Sequence, residues 1–85
     1  MIFISNDFEN FFKTLNDKDK DLLAEVIRKI ESKESLGQEY KIINLQGDLK
    51  DFFVCYVKPD LLLIYKEFEN KLILVNAGNE KDLFK

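Results

Sequence analysis

Several residue types are absent or nearly absent from this sequence. It contains no histidine, no tryptophan, one cysteine and one proline. Without histidine, the side chain that most often moves protons at neutral pH is missing, which excludes histidine-based catalytic triads and the usual zinc sites. The single cysteine, Cys55, cannot form a disulfide within the chain, so we expect a reducing compartment and a buried, unreactive thiol.

Positive charge is also scarce. Thirteen basic residues are outnumbered by 16 acidic ones, the net charge is −3, and Arg28 is the only arginine. This balance disfavours tight non-specific binding to nucleic acids, which depends on neutralising phosphates. No apolar run approaches the ~20 residues of a membrane span, and the N-terminus does not resemble a signal peptide. We therefore expect a cytoplasmic protein with no membrane contact, no metal and no cofactor.

The apolar content is sufficient for one core. Hydrophobic residues make up 46% of the 85 residues, and a chain this short leaves room for a single domain over residues 1–85. Ile2 and Ile4 alternate as in a short strand, and Asn6 followed by Glu9 resembles a helix cap. Asn16 provides a second cap. The spacing of the apolar residues predicts a helical hairpin, and those residues are Phe8, Phe11, Phe12, Leu15, Leu22, Leu23, Val26, Ile27 and Ile30.

From Tyr40 onward the hydrophobic period becomes that of strands. The pattern predicts strands at 40–45, 51–58, 61–67 and 71–77, separated by short turn sequences. Connections this short allow only antiparallel pairing, and the continuous apolar run in 61–65 favours a central strand. The predicted class is α+β, with two helices on one face of an antiparallel sheet and the other face partly open.

The second half of the chain also contains a motif pattern. Its parts are Leu45-Gln-Gly47, Leu49-Lys50, Val57-Lys-Pro-Asp-Leu-Leu-Leu-Ile-Tyr-Lys66, and Gly78 with Asp82-Leu-Phe84. Together they resemble the YafQ branch of the RelE/ParE toxin superfamily. The resemblance implies a RelE-like fold, in which an N-terminal strand and helical hairpin pack on a curled antiparallel sheet of about four strands.

The same resemblance implies a function. Such toxins belong to bacterial type II toxin–antitoxin systems and act as ribosome-dependent endonucleases on messenger RNA. A cognate antitoxin, encoded by the adjacent gene, blocks them. The implied partners of this chain are therefore the antitoxin, the ribosome and messenger RNA.

The positions that the family uses for catalysis are largely substituted here. Only Asp60 and Phe84 match functional positions of the family. Cleavage of RNA requires a base, an acid and stabilisation of charge on the phosphate. The substituted positions are Ile43, Tyr56 and Glu80, where the family has histidine, and Phe53 and Asn76, where it has arginine.

Other side chains could supply this chemistry, since wider RelE relatives use lysine, tyrosine or glutamate. The candidate catalytic residues are Asp60, Glu80, Tyr56 and Lys50, and the candidate RNA contacts are Lys58, Asn76 and Phe84. Most of these residues also have a structural alternative. The lysines can be solvated strand-edge residues, Asp60 a turn residue, Glu80 a helix-start carboxylate, Tyr56 a cross-strand aromatic and Phe84 a core residue.

Three functions follow from these alternatives. The first is a messenger-RNA endonuclease with a changed catalytic set. The second is a non-catalytic, toxin-like protein that still binds an antitoxin. The third is a toxin that poisons a protein target by binding alone, as the ParE relatives act on DNA gyrase. The acidity of the chain favours the second and third, whereas its lineage favours toxin activity of some kind.

Overall fold

A computed structural model describes residues 2–33, 40–45, 47 and 51–84. Each predicted strand of the second half is confirmed, and its ends differ by at most one residue. Of the helices in these ranges, none has both the length and the apolarity that crossing a membrane requires. The elements are β1 (Ile2–Ile4), α1 (Asn6–Phe12), α2 (Asp17–Glu31), β2 (Lys41–Asn44), β3 (Phe52–Lys58), β4 (Leu61–Phe68), β5 (Lys71–Gly78) and α3 (Glu80–Leu83).

The five strands form one mixed sheet in the order β1-β5-β4-β3-β2. Strands β2 to β5 pair antiparallel, as predicted, and β4 is the central strand. The expectation of a purely antiparallel sheet of about four strands is wrong for β1, which pairs parallel with β5. Parallel pairing requires a long crossover, and here the helical hairpin and three strands lie between the two paired segments.

The two helices of the hairpin begin at side-chain caps. Helix α1 is capped by Ser5, whose Oγ accepts a hydrogen bond from the Phe8 N–H at 3.0 Å and donates one to the carbonyl of Val75. The predicted cap, Asn6, is therefore wrong by one residue, because Ser5 also bonds to β5. The predicted cap of α2 is confirmed, since Asn16 Oδ1 accepts from the Asp19 N–H at 2.8 Å.

Helices α1 and α2 cover one face of the sheet, which we call the covered face. Within this core Cys55 is fully buried, and burial raises the pKa of its thiol to about 11. The predicted buried thiol is thus confirmed. The buried core residues are Phe8, Leu23, Val26, Ile27 and Ile30 of the helices and Cys55, Val57, Leu61, Leu63, Tyr65, Leu72, Leu74 and Ala77 of the strands.

Turns and bulges shape the other side of the sheet. Glu69 and Asn70 both have positive φ, 49° and 64°, which is the conformation of a two-residue type I′ hairpin turn. The register shifts between Tyr56 and Lys58 and again beside Ile64, and such bulges bend and twist strands. Val54 and Leu62 point away from the helices and are still buried.

Candidate functional site

The side of the sheet that faces away from α1 and α2 is called here the open face. Residues paired across neighbouring strands point to the same side, so the register assigns each side chain to a face. The strand residues with side chains on the open face are Phe3, Lys41, Ile43, Phe52, Val54, Tyr56, Leu62, Ile64, Lys66, Phe68, Lys71, Ile73 and Asn76.

Two rows of paired residues bring several predicted positions onto this face. In one row Lys41 pairs with Tyr56, Tyr56 with Leu62 and Leu62 with Gly78. In the neighbouring row Ile43, Val54, Ile64 and Asn76 follow one another across the sheet. Tyr56 and Asn76 are therefore on the same face and two strands apart, about 10 Å between strand axes.

Tyr56 and Asn76 each contact a nearby residue. The ammonium group of Lys41 lies 5.8 Å from the centroid of the Tyr56 ring, within the range of a cation–π contact. The side-chain oxygen of Asn76 accepts a hydrogen bond from the Ala77 N–H at 2.8 Å. Both side chains are half-buried, so they are ordered by the sheet and still reachable from the open face.

Helix α3 places Glu80 and Phe84 beyond the end of β5. Glu80 is exposed and is the first residue of the helix, which Asn79 caps by accepting from the Asp82 N–H at 2.8 Å. The N–H of Phe84 donates to the carbonyl of Glu80 at 3.0 Å. Phe84 is 47% exposed, so the alternative that it is a core residue is wrong.

Lys58 and Asp60 lie at the turn between β3 and β4. The bulge in β3 pairs Lys58 with Leu61, a core residue, and turns the lysine towards α2. Its Nζ donates to Oδ1 of Asp19 at 3.0 Å and lies 4.0 Å from Oδ1 of Asp60. This hydrogen bond, with the charges of both carboxylates, raises the pKa of Lys58. The side chain of Asp60 is 79% exposed.

The structure therefore groups some predicted residues and separates others. Tyr56 and Asn76 share the open face, and Glu80 follows the strand that contains Asn76. Lys58 points to the covered side, whereas Lys50 lies outside the described residues. Among the described residues, no cluster of three or more histidine, cysteine, aspartate or glutamate side chains could hold a metal ion. The available chemistry is that of a phenol, an amide and a carboxylate.

A family model for YafQ, the bacterial toxin of a type II toxin–antitoxin system, matches residues 2–85. This chain belongs to the YafQ family. A metal-bound toxin from Helicobacter pylori is 35% identical, with 99% of this chain and 98% of that chain covered and a TM-score of 0.82. No curated protein sequence matches the chain significantly.

Two Escherichia coli structures extend the YafQ family match. A YafQ variant with one substitution is 27% identical, with 100% of this chain and 98% of that chain covered and a TM-score of 0.85. YafQ in the DinJ–YafQ toxin–antitoxin complex is 26% identical, with 100% and 97% covered and a TM-score of 0.85. The α+β architecture predicted from the resemblance is therefore confirmed, as is membership of a family of type II toxins.

Sequence reasoning missed one feature of the open face of this YafQ-family chain. Three lysines on it, Lys41, Lys66 and Lys71, each lie next to an aromatic ring. Part of this arrangement could be predicted, because Lys66 lies in the predicted strand 61–67 and Phe68, two residues on, falls on the same face if the strand continues by one residue. The remaining contacts depend on which strands are neighbours, which no local pattern reveals.

Proposed function

We propose that this protein is the single-domain toxin of a type II toxin–antitoxin pair and acts in the cytoplasm. The observation that supports the proposal is the YafQ family match across residues 2–85. A cognate antitoxin, encoded by the adjacent gene, binds it and blocks its action. The E. coli relative is found in a complex with DinJ, which supports a partner of this kind.

The open face is the surface that meets messenger RNA at the ribosome. Tyr56 positions the RNA or donates a proton, Asn76 bonds to a phosphate oxygen, and Glu80 is the general base. Tyr56 and Asn76 share the open face, and Glu80 follows the strand that contains Asn76, which supports these roles. Asp60 is assigned a positioning role at the neighbouring turn, and Phe84, exposed beyond Glu80, is assigned the stacking of a base.

The two remaining lysines have different support. The charge of Lys58 is already offset by Asp19 and lies towards the covered side, so its contribution to phosphate binding is the smaller. Lys50 is assigned to phosphate stabilisation from its place in the motif Leu49-Lys50 alone. Substitution of Lys50 by glutamine should therefore slow cleavage more than the same substitution of Lys58.

Cleavage by this set of residues should be slow. General acid–base catalysis contributes roughly 10²- to 10⁴-fold to such reactions, and histidine suits it best near neutral pH. Asn76 in addition has no charge with which to stabilise a phosphate. We expect ribosome-dependent cleavage at least about 100-fold slower than that of E. coli YafQ, measured side by side.

Inducible expression with and without the adjacent open reading frame tests the proposal. The expected result is growth arrest by the toxin alone, relief by the neighbouring protein, and co-purification of the two. Transcripts should be cleaved slowly, and Glu80→Gln should slow cleavage further, whereas the neighbouring control Asp82→Asn should not. Absence of both growth arrest and complex formation would overturn the proposal. Cleavage as fast as that of E. coli YafQ would contradict the predicted slow rate.

A second function is favoured by the complete lack of histidine. In it the chain binds its antitoxin and poisons a protein target by binding alone, in the manner of ParE toxins. Arrest would then occur with intact transcripts and would be unchanged in Glu80→Gln. A stable protein target recovered with the toxin, and displaced by the antitoxin, would establish this alternative.

A further inference from the structure

Charge is distributed unevenly between the two faces of the sheet. The protein is acidic overall, with a sequence pI near 4.9. Yet the strand residues of the open face, within the described ranges, include three lysines and no carboxylate. Carboxylates follow at its margins: Glu67 pairs with Leu72 on the covered side, Glu69 is in the hairpin turn, Asp51 precedes Phe52, and Glu80 begins the helix after β5. The open face is therefore a local site of positive charge on an acidic protein.

Two lysines of this face, Lys66 and Lys71, lie beside aromatic rings. Lys66 lies 5.3 Å from the ring centroid of Phe52 and 5.8 Å from that of Phe68, while Lys71 lies 6.0 Å from that of Phe3. These five residues extend over β1, β5, β4 and β3, and we call them the aromatic–lysine band. Phe3 is 44% exposed and Phe68 is 53% exposed.

The exposed phenylalanine rings contribute little to the stability of the fold. Burying a phenylalanine side chain contributes roughly 1.5–3 kcal/mol, and both Phe3 and Phe68 forgo much of that gain. The rings also keep the lysine stems close to the sheet, since a cation–π contact holds each ammonium group beside a ring. The result is a preformed row of flat apolar surfaces and positive charges on a rigid sheet.

We infer that the aromatic–lysine band binds single-stranded RNA without sequence preference, the rings stacking on bases and the lysines contacting phosphates. The choice of RNA rests on the proposed function. Every base has a face that can stack, which makes such binding tolerant of sequence, and sheets with exposed aromatics stack two or three bases in this way. Three spacings between β-strands, about 14 Å in all, separate β1 from β3. This distance gives room for a short single-stranded RNA.

The band is separate from the residues assigned to cleavage but continuous with them. On β4, Lys66 is followed towards the other end of the face by Ile64 and Leu62, which pair with Asn76 and Gly78. An RNA strand bound to the band can therefore continue across the open face towards Tyr56. The band holds RNA, and the far end of the face is where any cleavage takes place.

Fluorescence anisotropy of a labelled oligouridine of about 12 nucleotides, titrated with the full-length protein without ribosomes, tests this inference. Phe68→Ala and Phe3→Ala should each weaken binding by at least about fivefold. Lys66→Gln and Lys71→Gln should each reduce the slope of log affinity against log salt by about 0.7. Double-stranded RNA should compete poorly, because its bases are already stacked.

Two control variants lie outside the open face. Ile4→Ala removes an exposed apolar side chain of β1 that points to the covered side, and Lys18→Gln removes an exposed charge of α2. Both should leave the affinity of oligouridine unchanged. Thermal unfolding of every variant, followed by circular dichroism, shows whether it is folded at the assay temperature.

The outcomes separate this inference from the proposed function. Absence of oligouridine binding at low salt, or equal binding by Phe68→Ala and the controls, would overturn the band and leave the antitoxin complex unaffected. If the band variants bind oligouridine normally but lose the antitoxin, the band is a protein-binding surface and the inference is wrong. Loss of the antitoxin complex in the unaltered protein would instead contradict the proposed function.

Discussion

The covered and open faces of the sheet consist of alternate residues of the same strands, yet their composition differs. On β4, Leu63 is fully buried under the helices, whereas Phe68 on the opposite face is 53% exposed. The covered face contains the residues that hold the fold together. The open face combines a buried centre, Val54 and Leu62, with lysines and exposed rings towards its ends. Strand periodicity thus places stability and recognition on opposite sides of a single sheet.

The largest expected effect comes from a change on the covered face. Leu63→Ala removes a side chain that is 0% exposed, and we expect the free energy of unfolding to fall by about 3 kcal/mol or more, because a cavity remains. The adjacent Ile64→Ala, on the half-buried open face, should cost about 1 kcal/mol. Urea unfolding of both variants measures the difference, and equal losses would contradict the contrast between the faces.

The second largest effect is expected from alkaline pH, which should lower the free energy of unfolding through Cys55 on the covered face. In the unfolded chain the Cys55 thiol ionises at its ordinary pKa of 9.0, whereas burial raises its pKa to about 11 in the folded protein. Stability is therefore complete below pH 9 and falls as pH rises towards 11, by about 1.4 kcal/mol per pH unit. Burial also raises the pKa of Tyr65, so stability declines further at higher pH.

Urea unfolding across this pH range measures the decline, with Cys55→Ala as the control. The alanine variant should be less stable at neutral pH but should lose the part of the slope that begins at pH 9. The same slope in both proteins would show that Cys55 does not cause it.

A smaller effect on stability is expected at the N-terminal cap of α2. Asn16→Ala leaves the Asp19 N–H without its side-chain acceptor and should cost about 1 kcal/mol of unfolding free energy. Asn10→Ala, in the exposed interior of α1, removes no cap and should be neutral or slightly stabilising. If both changes have the same effect in thermal unfolding, capping is not the cause.

The smallest effect on stability is expected on the open face. Lys66→Gln removes one charge beside two rings and should change the unfolding free energy by no more than about 0.5 kcal/mol. Its affinity for oligouridine should nevertheless become less dependent on salt. A loss of stability comparable to that of Leu63→Ala would mean that the open face supports the fold rather than binding.

Much of the fold could be predicted from local patterns. The four strands of the second half and the cap at Asn16 were predicted because hydrophobic period and capping chemistry act over a few residues. The cap at Asn6 was wrong because Ser5 beside it gains a further hydrogen bond to Val75, a partner 70 residues away. The parallel pairing of β1 with β5 was missed for the same reason, since it joins the two ends of the chain.

The candidate site was predictable to a lesser degree. The resemblance singled out Tyr56, Asn76 and Glu80, and strand register then placed the first two on one face. It also singled out Lys58, but a single-residue bulge directs that side chain to Asp19 on α2. A bulge moves a side chain to the other face of the sheet, but it leaves no mark in the hydrophobic pattern of the sequence. The direction of Lys58 could therefore not be predicted from that pattern.

Residue identity and short-range spacing were sufficient to predict the order of helices and strands, the family and the absence of histidine chemistry. Which strands are neighbours depended instead on contacts between distant parts of the chain. The choice of neighbouring strands placed Lys66 and Lys71 beside the rings of Phe52, Phe68 and Phe3, and the bulge in β3 turned Lys58 away from the open face. Contacts between strands follow from how the whole core packs, and no segment of the chain contains that information alone.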